Sequence, residues 1–195
     1  NSTHARMPTP TRARAYPPFR GQNSLIIEVA PALSIHRITD LALKVAPNLE
    51  PGILFTERQF GLLELHADTM EELDAAGHAI LKGIDAEATD QLAPTILYHD
   101  IIEDLSDQHA IILNRSRDGS ILVPGVALLI YEMAPALFAC VAANEAEKAA
   151  PGVTINDVQM MGATGRIFMS GSLEDTTIAR DRITEVLGKI KGRKK

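Results

Sequence analysis

Six histidines and a single cysteine are the side chains here best suited to metal or nucleophilic chemistry. The histidines are His4, His36, His66, His78, His99 and His109, and no pair has helical metal-ligand spacing with a carboxylate in register. His66 ends an expected strand and His78 sits on an expected helix, so a fold can bring those two together. As ordinary boundary histidines they need no ligand. Glu103, Asp104 and Asp107 crowd one turn, but without calcium-loop spacing they read as a solvated acidic turn. Cys140 stands among Phe138, Ala139, Val141 and Ala142, and reads as a small buried apolar residue with no triad beside it. Gly162-Ala163-Thr164-Gly165 is not followed by a helix N-terminus, which a phosphate loop requires. No catalytic residue, metal or cofactor is expected.

The elements that must hold these residues come in two copies. Glu28 to Pro47, EVAPALSIHRITDLALKVAP, aligns without a gap on Glu132 to Pro151, EMAPALFACVAANEAEKAAP, at a constant offset of 104. Nine of twenty positions are identical, among them the Ala-Pro-Ala-Leu string and Lys44 against Lys148. A fixed-offset repeat sets architecture before local structure does. Each copy reads strand, helix, strand, strand, helix. In the first, Leu25 to Val29 is a strand and a helix runs from Pro31 to about Ala46 with Ile35, Ile38, Ala42 and Val45 inward. Gly52 to Glu57 and Gly61 to His66 are strands. A helix capped by Asp68 to Glu71 then buries Leu73, Ala76, Ile80 and Ile84. In the second copy, strands Val126 to Glu132, Val153 to Met160 and Arg166 to Ser170 alternate with a Pro135 to Ala149 helix. A last helix, capped at Ser172, carries Ile178, Ile183, Val186 and Ile190. Gly61 and Gly165 also stand 104 apart.

Flanking pieces complete the layout. Residues 1–21 read as a disordered basic arm, 22–90 as the first domain, 91–188 as the second and 189–195 as a basic tail. Asp85 to Asp90 is a polar linker. Pro94 to Ile102 and His109 to Asn114 read as a hairpin ahead of the second unit; a counterpart before the first, within Pro17 to Asn23, is much shorter. The fold class is α/β with separate helices (α+β): an antiparallel, ferredoxin-like sheet with helices, twice.

Composition narrows the function classes. Apolar residues make up 46% with no tryptophan, so the cores must be aliphatic. A net charge of −6 argues against a general nucleic-acid binder. One cysteine allows no internal disulfide and fits a reducing, cytoplasmic setting. No apolar run is long enough for a membrane span.

The residues Ala142 to Ala150 (AANEAEKAA) and the loop Gly162-Ala163-Thr164-Gly165 resemble the first helix and the pore-lining loop of bacterial microcompartment shell domains. A hairpin before each unit, and nothing after the last helix, resembles that domain's circularly permuted form. EVAPALSIHRITDLALK, TERQFG, HAIILNR and AANEAEK stand in the order of the tandem, gated carboxysome-type trimers, over about Gly21 to Leu187. The resemblance implies a structural shell protein: two permuted domains per chain, three chains imitating a hexamer, trimers that stack in some family members, and other shell proteins as partners. From charge and apolar run length no nucleic-acid or membrane partner is expected, and the resemblance implies a pore that passes small polar metabolites. Glu57-Arg58, followed by Gln59-Phe60-Gly61, matches the family's gate, and Gly162, Ala163, Thr164 and Gly165 occupy the equivalent place in the second copy. Lys44, Lys148 and Arg115 match its tile-edge cations. Two other classes fit the bare composition: a small-molecule-sensing ferredoxin-like module, and an enzyme with an inter-subunit site drawing on His66, His78 or the acidic turn.

Overall fold

The computed structural model describes residues 12–14, 16, 18–57, 59–116 and 119–194, and the chain divides into two units, Asn1–Gln91 and Leu92–Lys195. The first holds β1 (Arg12–Arg14), β2 (Asn23–Val29), α1 (Ser34–Val45), β3 (Glu50–Glu57), β4 (Phe60–Ala67) and α2 (Met70–Gly83). The second holds β5 (Thr95–Ile102), α3 (Asp107–Ser116), β6 (Ala127–Ala134), α4 (Phe138–Ala149), β7 (Thr154–Met161), β8 (Thr164–Gly171) and α5 (Leu173–Lys189). Among the described residues no helix is long and apolar enough to cross a membrane.

Alternation in the inner strands decides which way each sheet faces. Leu63, Leu65 and Ala67 of β4 point to one side and bury against Ile35, Ile38 and Ala42 of α1 and Leu73, Ala76 and Ile80 of α2. In the second unit Ile167 and Met169 of β8 meet Ala139, Ala142 and Ala146 of α4 and Ala179, Ile183 and Leu187 of α5. Ala139 and Ala142 of α4 stand where the first unit uses Ile35 and Ile38. Both repeats keep a cis peptide, at Ala30-Pro31 and Ala134-Pro135. Helix α1 begins at Ser34 and α4 at Phe138, three residues after the prolines at which the sequence suggested a start.

Several expectations are corrected. His109 to Asn114 is not a strand but the body of α3, and β5 pairs instead with β6. Apolar side chains decide this: Ala110 and Leu113, one turn apart, pack with Leu105, Leu122 and Leu128 on the sheet face opposite α4 and α5. Val45, Ile84 and Ile178, expected inward, are exposed. The cap of α2 is shifted by one residue, with Thr69 at the N-cap and its Oγ1 donating to Glu72. At α5 the expected cap holds: the Asp175 amide donates to Ser172 Oγ. Part of the arm expected to be disordered is ordered, since Arg12–Arg14 pairs antiparallel with β3. The tail is tied as well, with the Ala93 amide donating to the Arg193 carbonyl.

The fourth strand of each sheet sits on opposite edges. The first sheet runs β1-β3-β4-β2 and the second β5-β6-β8-β7. Since β2, β3 and β4 correspond to β6, β7 and β8, the added strand covers β3 in one unit and the β2-equivalent, β6, in the other. The repeat is thus broken at its edges, although its centre is kept.

Candidate functional site

The two expected pore loops are the β3–β4 and β7–β8 turns. In each, two residues join paired strand ends: Glu57 opposite Phe60, and Met161 opposite Thr164. Gly162 takes φ 64° at the first turn position, as a primed hairpin turn requires. Arg58 and the Glu57 side chain lie outside the described residues; Gln59 is exposed and Phe60 half-buried. Ala163 and Thr164 are half-buried.

Gly61 and Gly165, just beyond the turns, have a packing reason to be glycine. A β-carbon at Gly61 would lie 2.4 Å from the Ala32 carbonyl oxygen and 2.7 Å from Ile35 Cβ. One at Gly165 would lie 2.4 Å from the Ala136 carbonyl oxygen and 2.7 Å from Ala139 Cβ. In both copies the helix that follows the proline is pressed on the strand that leaves the turn. The helix and the turn are therefore held as one piece.

Beside the second turn lies a charged pair that the sequence reading missed. Arg166 Nε donates to Glu132 Oε1 at 3.0 Å, across directly paired positions of β6 and β8. Hydrogen bonds from Arg166 and then Thr164 hold the Glu132 carboxyl below its usual range, against a smaller desolvation effect. Glu132 and Glu28 are identical at the repeat offset, but Arg166 corresponds to Leu62, so only register reveals the pair. At this exposure it stabilises by about 1 kcal/mol or less. Because the folded carboxyl titrates lower than the unfolded one, that contribution is complete above the unfolded range and is lost as pH falls through the folded value. Arg166→Leu is expected to lower the urea midpoint near neutral pH and to match the parent well below about pH 4, the ordinary glutamate range. Equal differences at both pH values would refute the pairing.

Lys44 and Lys148, expected at tile edges, are solvent-facing and tethered on their own helices. Lys44 Nζ, in the last turn of α1, is 2.7 Å from Asp40 Oδ2. Lys148 Nζ, in the last turn of α4, is 3.6 Å from Glu145 Oε1. Glu145 also binds Arg182 of α5, and that hydrogen bond first, with Lys148 contributing less, pulls its carboxyl below the usual range. Arg115 ends α3 and is exposed.

Among the described residues the histidines do not assemble into a site with one another. His78 Nδ1 lies 2.7 Å from the Asp74 carbonyl on its own helix. His66 is fully buried, and as an even-numbered residue of β4 it faces away from α2. Its Nδ1 is 3.2 Å from both Glu64 oxygens and its Nε2 is 3.4 Å from Glu50 Oε2, while Ser24 donates to Glu64 at 2.8 Å. The Glu64 carboxylate occupies the space a side chain at Gly52 would need, at a bulge in β3. A Glu-x-His spacing within an apolar strand was the available sign of this cluster. His99 stacks on Tyr131 with centroids 5.2 Å apart. Cys140 Sγ approaches Met160 Sδ at 3.6 Å. Among the described residues no three His, Cys, Asp or Glu side chains converge to hold a metal ion. Of the acidic turn, Asp107 opens α3 while Glu103 and Asp104 are exposed.

Known proteins share this arrangement. A family profile, CsoS1D N-terminal domain, matches residues 3–90. The chain is 37% identical over 183 residues to the carboxysome shell protein CcmP of Synechococcus elongatus, covering 94% of this chain and 85% of that one. It is 36% identical over 181 residues to the carboxysome shell protein CsoS1D of Hydrogenovibrio crunogenus, covering 92% and 87%. Among solved structures, the double-ringed trimeric shell protein MSM0271 from the RMM microcompartment superposes with a TM-score of 0.90 at 56% identity, covering 93% of this chain and 89% of that one. The fused permuted hexameric shell protein MSM0275 from the same microcompartment gives 0.84 at 41%, covering 90% and 86%. Two permuted units with a shared centre, an offset preserved through the glycine contacts, and 36–37% identity to shell proteins over more than nine-tenths of the chain lead to one assignment: the chain belongs to the bacterial microcompartment shell proteins of the tandem, permuted kind.

Proposed function

We propose that the chain forms a trimer whose six units imitate a hexamer, tiles into a shell layer, and surrounds a gated central pore for small polar metabolites. The observation that carries this reading is the pair of equivalent two-residue turns with unlike sequences, Arg58-Gln59 and Gly162-Ala163, on frames that align at one constant offset. A scaffold conserved around diverged turns implies different tasks for the turns. Three copies of Glu57 and Arg58 around an axis pair with one another or swing apart. In a narrow, partly desolvated ring their attraction is several-fold stronger than on an open surface, which supports two discrete states. The Gly162–Gly165 turn, without charge, gives the other three positions a neutral lining.

Lys44, Lys148 and Arg115 supply the tile rims. Each projects from the last turn of a helix, where a cation is favoured by the helix dipole, and neither lysine is held by more than acids of its own helix. Other shell proteins with acidic or carbonyl-rich rims are the matching partners.

The gate is tested with Glu57→Ala and Arg58→Ala. Both variants are expected to keep the parent's native mass while changing the geometry of the closed pore, read from their crystal structures. Side chains at 57 and 58 lying far from the threefold axis in the parent would remove the gate.

A further inference from the structure

On the face of the first sheet that looks away from α1 and α2, four polar side chains break the likeness between the units. Ser24, Glu50, Glu64 and His66 correspond at the repeat offset to Leu128, Thr154, Phe168 and Ser170. Leu128 and Phe168 are packed under α3. In the first unit the same place holds a carboxylate and an imidazole, with Glu64 7% and His66 0% exposed. Ser24 and Glu50 stand directly opposite His66 in register, one on β2 and one on β3. Among the side chains described, no lysine or arginine pairs with either glutamate. Buried charges of this kind are paired or coordinate metals.

The two nitrogens of His66 have different surroundings. Nδ1 lies 3.2 Å from both Glu64 oxygens, and Ser24 Oγ donates to the same carboxylate at 2.8 Å. A carboxylate only accepts, so Nδ1 carries the hydrogen and Nε2 is left for another partner. That nitrogen is closed off from solvent and has no hydrogen-bond partner. It faces Glu50 Oε2 at 3.4 Å. A protonated imidazole donating to a carboxylate closes to about 2.7–2.9 Å. Two ligands of one tetrahedral zinc, each about 2.0–2.2 Å from it, stand about 3.4 Å apart. The separation matches a shared cation and is too long for a shared proton.

We infer that His66 Nε2 and Glu50 Oε2 are the protein ligands of a divalent cation of the zinc class. Glu64 holds the imidazole from behind, the carboxylate–histidine–metal order that fixes tautomer and ring orientation. Imidazole with carboxylate suits zinc, whereas magnesium prefers oxygen alone. Two direct ligands are fewer than a closed structural site uses, so water completes the shell. The Glu50 side chain, 46% exposed, gives the entry path. Gly52 leaves room for the cluster, since a β-carbon there would lie 2.0 Å from Glu64 Oε2. The cation would join β3 to β4 beside Pro51, whose carbonyl accepts from the Tyr16 amide at 3.1 Å. It would thus clip the sheet where the chain arrives from β1. None of this depends on the trimer or the pore.

The test is calorimetric titration of zinc, and of magnesium as control, into the full chain after EDTA treatment and dialysis. The parent, Glu50→Gln and Glu64→Gln are compared. Glu50→Gln keeps the shape of a half-exposed side chain, so the fold is kept, and circular dichroism checks both variants. The parent is expected to bind one zinc per chain and to ignore magnesium at the same concentration. Affinity is expected to fall at least 10-fold in Glu50→Gln, and 10–100-fold in Glu64→Gln as for other outer-shell partners. The urea midpoint of the parent is expected to rise with zinc and to return with EDTA. No zinc bound by the parent overturns the inference and leaves His66 an imidazolium between acids. Affinity unchanged in either variant overturns it as well, since the ion is then an adventitious ion only. Equal binding of magnesium does the same, because that ion has no use for the imidazole.

Discussion

Lys44→Asp together with Lys148→Asp is expected to abolish extended sheets while leaving the native mass of the assembly unchanged. Both lysines end the first helix of a repeat at the same alignment position, so six rim charges change sign per trimer. Each lysine sits 65–73% exposed beside an acid on its own helix. A second acid in its place faces that partner and any acidic rim alike. The intramolecular pairs contribute only about 0.3–0.5 kcal/mol each at such exposure, so folding is nearly indifferent to the change. Tile contacts are not, because like charges facing one another across a repeated rim add up over every neighbour. Electron microscopy of the concentrated protein reads the outcome. Sheets of normal extent in the double variant would remove the edge role of both residues.

Gly165→Val is expected to unfold the second unit at a denaturant concentration well below that of the parent. Alanine alone puts a β-carbon 2.4 Å from a backbone carbonyl oxygen and 2.7 Å from the Ala139 β-carbon. Neither neighbour is the flexible tip of a side chain, so the strand and α4 must separate. Overpacking of this sort costs about 1–3 kcal/mol for alanine and more for valine. Gly61→Ala tests the same contact in the first unit, where Ala32 and Ile35 are the neighbours. The parallel matters for function. If the helix bearing a rim lysine and the strand leaving a pore turn are one rigid piece, loosening that joint disturbs both rim and pore. A Gly165→Val protein as resistant to urea as the parent would contradict this packing.

The frame was largely readable from residue order. The offset of 104, the strand-helix-strand-strand-helix plan, and the glycines at 61 and 165 all follow from the repeat, because buried contacts inside each unit constrain the same positions in the same way. What the order did not reveal is where the units stop resembling each other. Ala110 to Leu113 is a short continuous apolar run, and such a run does not distinguish helix from strand. It became a helix because Leu105, Leu122 and Leu128 offer a surface one turn long. The exchange of edges between β1 and β5 is a matter of hydrogen-bond pairing across the sheet, which leaves no local mark. The Glu132–Arg166 pair and the Glu50–His66 contact were hidden for a similar reason. Each joins residues on different strands at paired positions, so both depend on register.

The candidate site divides along the same line. Lys44 and Lys148 stood out because the repeat presents them twice, and the edge role proposed for them comes from likeness to the shell family. The charged turn at Glu57-Arg58 was legible only by likeness to the shell family. The segment His109 to Asn114 was read as a hairpin strand, since nothing in HAIILNR says that its two isoleucines stay outside.

The claim on which the rest depends is that the chain builds a threefold ring around an opening. Native mass spectrometry of the full chain, paired with negative-stain imaging of the same sample, tests it most directly. The account predicts masses in multiples of three chains and ring-shaped particles with a central hole. A monomer or dimer, or solid particles without threefold symmetry, would contradict it.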